Sequence, residues 1–157
     1  MIIPNNLLPL SKEVCEILAC SEDLASGIFH HNMVDGTHIL LYLLEAEGEY
    51  ADIFKNCCIE GDFVIGNLKQ YGNFFKCPGE ESYCSEYLKL VLKSSSDYAI
   101  DYYCNNIQIH HLIYGMLKTN VGLLPIVLKN YAPMEDYLED LLCIIHDFPK
   151  QNQVTIE

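Results

Sequence analysis

Six histidines, eight cysteines and twenty-two carboxylates are the groups in this chain that chemistry would use. His30, His31 and Asp35 fall within six residues, and imidazole with carboxylate is a donor set that suits zinc. Adjacent histidines on one loop seldom converge on one ion, so no metal is expected. His38 and His111 each stand directly before an apolar run, in GTHILLYLL (Gly36 to Leu44) and IHHLIYGML (Ile109 to Leu117). Such an imidazole either bonds the local backbone and packs in the core, or forms a pH-sensitive or ligand-contacting pair. The first is the expectation. The cysteines, at 15, 20, 57, 58, 77, 84, 104 and 143, form no CxxC, so the paired knuckles of a zinc site are absent. Several fall on apolar helical faces, where a reduced thiol acts as a small hydrophobe. A direct bridge between Cys57 and Cys58 would be strained, and burial is expected for both. There is no Gly-x-Ser-x-Gly elbow and no glycine-rich phosphate loop. No catalytic residue, cofactor or enzymatic activity is expected.

Length and charge narrow the classes further. A chain of 157 residues is one ordinary domain or two small repeats sharing a core, and half its residues are hydrophobic, ample for packing. The net charge is −13, with nine lysines and no arginine. That balance repels phosphate backbones, so no nucleic-acid partner is expected, and it favours a basic protein segment instead. The start, MIIPNNLLPL, lacks a basic n-region, and no run approaches the roughly 18 apolar residues of a membrane span. No membrane association is expected. A reduced cytoplasm is the expected compartment.

The elements that would position these groups read as helices. Pro4 and Pro9 keep residues 1–10 an extended lead-in. Ser11 is an N-cap, and Val14, Ile17, Leu18, Leu24, Ala25 and Ile28 mark one apolar face. Asp35, Gly36 and Thr37 open a second helix, apolar almost all round and therefore central and buried. Tyr50 to Asn56 makes a third. Gly61 and Asp62 are punctuation before a fourth. The stretch Tyr71 to Tyr83, with Gly72, Pro78 and Gly79, has no periodicity and is the connector.

The order then repeats. Ser85 is again a cap, with Leu88, Val91, Leu92, Tyr98, Ala99 and Tyr102 marking an apolar face. It lies 74 residues after Ser11, and that offset lays Leu88 on Val14, Val91 on Ile17, Leu92 on Leu18 and Ala99 on Ala25. One residue is lost in the loop, so His111 falls on His38. Met134 to Ile145 is the closing helix, ahead of Pro149 and a polar tail. No sustained alternation or hairpin signal argues for strands. The expected fold is all-α: an eight-helix bundle of two four-helix repeats with pseudo-twofold symmetry. The boundaries are residues 11–70 and 85–147 for the repeats, 71–84 for the connector and 148–157 for the tail, within one domain spanning 11–147.

A capped helix, a short loop, a histidine at the next helix start and a leucine-rich helix, twice over, resemble the Clp N-terminal repeat domain. That module recruits substrates and adaptors ahead of the ATPase rings of Clp-type unfoldases. The resemblance covers most of the chain and implies a protein- or peptide-binding bundle that acts as adaptor or regulator in protein quality control and proteolysis. An accessory subunit permanently docked on a Clp-type protease or another large assembly is the alternative. The family-matched binding positions are Ser11, Thr37, Ser85 and His110. Thr37 and His110 stand where the family's Thr-Glu-His motif has glutamate, the residue that engages the guanidinium of phosphorylated arginine. A threonine and a histidine do not replace a carboxylate there. Without an ATPase phosphate loop, and with a start at Met1 and a polar tail, a stand-alone relative is expected. Tyr71, Phe74, Phe75 and Tyr83, in and beside the connector, are candidates for an exposed interface patch.

Overall fold

The computed structural model describes residues 6–72, 86–120, 122–131 and 135–152. The all-α expectation holds: eight helices and no strand among the described residues. They are α1 (Lys12–Gly27), α2 (Gly36–Glu45), α3 (Glu49–Asn56), α4 (Gly61–Gln70), α5 (Glu86–Asp101), α6 (Ile109–Lys118), α7 (Leu124–Tyr131) and α8 (Glu135–Asn152). Helices of 16, 10 and 8 residues occur in that order twice.

The central role expected of α2 follows from its composition. Eight of its ten residues are buried, and α1, α3, α4 and α7 pack around it. The second apolar helix, α6, is enclosed in the same way by α5, α8, α7 and α1. One apolar core therefore runs through both halves, from Val14, Ile17 and Leu40 to Leu92, Leu112 and Ile145. Two serines sit on the apolar faces of the long helices without cost. Ser21 Oγ donates to the Ile17 carbonyl at 2.6 Å, and Ser95 Oγ to the Val91 carbonyl at 2.7 Å, which satisfies each buried hydroxyl.

Four expectations need correction. Ile28 and Tyr102 were placed on apolar faces but are 66% and 52% exposed. α1 stops at Gly27 and α5 at Asp101, so each residue falls past the last full turn. Gly61 and Asp62 are the first turn of α4 rather than punctuation. The closing helix runs on to Asn152, through Pro149. A proline removes its own N–H donor and crowds the carbonyl four residues back, a cost that can be met by a kink without ending the helix. Cys58 is exposed and Cys57 only half-buried, because Cys58 follows α3 in a left-handed turn with φ 66°, at a helix end rather than on a packed face. Cys15 and Cys143 are exposed as well.

α5 and α6 approach each other closely at Gly115, and the missing side chain there permits it. A Cβ on Gly115 would lie 2.7 Å from the Val91 carbonyl oxygen and 3.0 Å from the Ser95 nitrogen, and would overlap Ser95 Oγ. Gly115→Ala is therefore expected to destabilise the protein by about 1–3 kcal/mol, although alanine is the better helix former by about 1 kcal/mol. Thermal unfolding measures it. Adding Ser95→Ala should restore only part of the loss, since the Val91 backbone contact remains; full rescue would place the conflict in the hydroxyl alone.

Candidate functional site

The lead-in sets up a cleft that joins two of the groups singled out from the sequence, Ser11 and His110. Residues 9–11 pair with the α5–α6 loop: Ile107 N donates to the Pro9 carbonyl at 2.8 Å, and Ser11 N to the Ile107 carbonyl at 2.9 Å. Leu8 N donates to Ser96 Oγ on α5 at 3.1 Å. These bonds hold the start of α1 beside the start of α6. Ser11 caps α1 as expected, its Oγ accepting from Val14 N at 3.2 Å.

Between the two helix starts lies a cleft of about 350 Å³, lined by Ser11 and Glu13 from one side and Asn106, Gln108, Ile109 and His110 from the other. Tyr50 of α3 lines it as well. Its hydroxyl is pushed up to about 12, by burial first and then by Glu49, so the cleft presents it as a neutral phenol. Burial lowers the His110 pKa, so that imidazole too is neutral near pH 7. Glu13 supplies the fixed charge. Two helix N-termini, hydroxyls, amides and one carboxylate make a polar slot suited to hydrogen bonding an extended chain.

His38 and His111 do what local backbone chemistry asks of them. Asp35 N donates to His38 Nδ1 at 2.9 Å, and Gln108 N to His111 Nδ1 at 3.0 Å. Each histidine thus satisfies the amide of the residue before its helix, the reverse half of a capping box. The arrangement at α2 goes further. With Nδ1 accepting, neutral His38 carries its proton on Nε2, which faces His31 Nδ1 at 2.9 Å. Both rings are buried, and Phe29 stacks on His31. Burial lowers His38 to about 3, with His31 adding to the effect. Burial likewise lowers His111 to about 4, helped by His110, against a bond to the Asn106 backbone.

Asp35 is the hub. Its Oδ2 accepts from Thr37 N at 2.9 Å and Thr37 Oγ1 at 2.8 Å, and its Oδ1 accepts from Leu123 N at 3.1 Å, ahead of α7. Burial raises its pKa, opposed by the donors of Thr37, Leu123 and Leu124. Nothing local in the sequence announces the link to Leu123, 88 residues away.

The structure therefore brings Ser11 and His110 into one cleft and separates Thr37 from them. Thr37 is fully buried, its hydroxyl committed to Asp35, and offers nothing to a ligand. Tyr71, the C-cap of α4, is half-buried and packs against the core. Ser85, Phe74, Phe75 and Tyr83 lie outside the described residues. Among the described residues no three His, Cys, Asp or Glu side chains are grouped to hold a metal ion.

Neither a family model nor a curated protein sequence matches the chain. Among solved structures, it is similar to a chain from structural investigations of a malarial protein secretion system, with a TM-score of 0.67 and 17% identity. The match covers 94% of this chain and 99% of that one. At that identity the likeness carries the fold alone.

Proposed function

We propose that this protein is a non-catalytic binding module of the Clp N-terminal type, an adaptor or regulator that holds a protein or peptide segment in the cleft between Ser11 and His110. The observation that carries this reading is the cleft itself. Two positions matched to the resembling family, 99 residues apart in sequence, face one polar slot between two helix starts. Twin histidine-capped helices, α2 and α6, supply the scaffold. Among the described residues no helix is long and apolar enough to cross a membrane. We place the protein in the cytoplasm, with a Clp-type ATPase or protease component as partner.

The test is affinity capture of the tagged protein from its own cells, beside a variant with the cleft filled. Gln108→Trp fits that purpose, because Gln108 lines the cleft and is exposed, and its backbone N–H, which donates to His111 Nδ1, is kept by any side chain. Recovery of a Clp-type subunit at near-equal amounts by the wild type, and its loss in Gln108→Trp, is the expected result. Equal recovery by both would remove the cleft from the function, and no Clp-type subunit in either would reduce the relation to ancestry.

A further inference from the structure

Three large apolar side chains stand in solvent where α5 ends. Tyr103 is 96% exposed, Ile100 53% and Tyr102 52%. The turn that carries them is tightly closed, with Tyr103 N donating to the Ile100 carbonyl at 3.0 Å and Cys104 N to the Ala99 carbonyl at 2.9 Å. Tyr103 itself has φ 60°, the left-handed conformation that glycine usually fills at a helix end. His30, Glu47 and Cys58 share this conformation at other helix ends, but of the four Tyr103 is the large aromatic. It adds nothing to the core, and a glycine would suit the backbone better.

Behind it lies a fixed aromatic platform. The Tyr102 ring packs on Tyr98 and on His146 of α8, with centroids 5.0 and 5.1 Å apart, and the Tyr102 hydroxyl reaches His146 Nε2 at 3.4 Å. The Tyr98 hydroxyl lies 2.6 Å from His146 Nδ1, and its ring stacks on Tyr114 at 4.0 Å. Rings held in this way lose little freedom on binding.

The surroundings are acidic. Asp101 on α5 and Asp147 on α8 are exposed, while Asp97 is paired with Lys93 at 3.5 Å. No lysine occurs between Ser94 and Leu117 or between Asn130 and Pro149. Carboxylates beside open tyrosine faces attract lysine and arginine twice over, through charge and through the ring quadrupole. A second copy of this chain would bring another −13 and be repelled.

We propose that the end of α5, with Tyr103 as its anchor beside Ile100 and Tyr102, docks a lysine- or arginine-rich segment of a partner protein. This rests on the reading of the chain as a protein-binding module and names the chemistry of the partner at a surface outside the cleft.

The probe is a dye-labelled peptide of alternating arginine and glycine, with its glutamate counterpart, followed by fluorescence anisotropy at low and at physiological salt. The arginine peptide is expected to bind, more weakly as salt rises, and the glutamate peptide to stay free. Tyr103→Gly should weaken binding about tenfold or more, as truncating an aromatic anchor does, while its melting temperature holds or rises because the strained residue is gone. Equal binding by Tyr103→Gly, equal binding of the glutamate peptide, or no binding at all would overturn the proposal. So would sedimentation showing a dimer that Tyr103→Gly abolishes, since the occupant would then be a second copy. Amide shift mapping separates this proposal from the cleft. Changes at Asp101 and Tyr103 alone support the tip without the cleft, changes at Ser11 and Gln108 alone support the cleft and sink the tip, and changes at neither sink both.

Discussion

Acidification is expected to strip several kcal/mol from the fold, beginning near pH 6.5, with His38 as the main cause. Its folded pKa is lowered to about 3 from an ordinary 6.5. Between those values the unfolded chain takes up a proton that the native protein refuses, so stability falls as pH falls. Each pH unit in that window costs about 1.4 kcal/mol, and the whole window about 4–5 kcal/mol. His111, lowered to about 4, adds to the loss between 6.5 and 4. Asp35 works in the other direction: its pKa is raised, so it contributes a relative gain as pH falls toward 3.8. Set against the 5–15 kcal/mol typical of a domain, the histidine contribution alone is large. Urea unfolding at a series of pH values between about 7 and 4 measures the slope. His38→Asn keeps an acceptor for the Asp35 amide and cannot titrate, so its profile should lose about one proton of slope below pH 6. An unchanged slope would assign the acid sensitivity elsewhere.

The same histidines show how far the sequence could be read. Their place before apolar runs was enough to mark helix starts, and the three- and four-residue periodicity of Val14, Ile17, Leu18 and of Leu88, Val91, Leu92 was enough to find the buried faces. Those are local signals, set by the pitch of a helix. What local signals omit is where elements meet. The contact of His31 with His38 depends on the turn at His30 with φ 56° folding the loop back over α2. Ser11 and His110 each stood out in the sequence, but only the pairing of the lead-in with Ile107 makes them neighbours. The exposures of Ile28 and Tyr102 were misjudged for a related reason: periodicity extends a face past the residue where the helix actually stops.

Thr37 and His110 occupy matched positions in the sequence, yet a glutamate should have opposite consequences at the two. At Thr37 the side chain is fully buried, and its hydroxyl donates to Asp35. Glutamate there removes the donor, leaves Asp35 short of a partner and buries a second carboxylate beside the first, where like charges in a dry site oppose each other. The expected loss is about 3–5 kcal/mol, enough to abolish a cooperative transition in a domain of ordinary stability. Relief at low pH would be slight, because protonating the new carboxylate does not restore the cap and His38 charges in the same range. At His110 the side chain is half-buried on the cleft, in the first turn of α6. A carboxylate there meets the positive end of the helix, a gain of about 0.3–1 kcal/mol that offsets the lost packing. His110→Glu should therefore melt within a few degrees of the wild type. Circular dichroism of the two variants decides the point: comparable melting curves would mean that Thr37 is not in the interior. His110→Glu also places a carboxylate across the cleft from Ser11, the arrangement that the resembling family uses for phosphorylated arginine. Calorimetry with a phosphoarginine peptide should then register binding by His110→Glu where the wild type shows none. A folded variant that stays inert would separate this cleft from the family's pocket while leaving the bundle and its caps as they are.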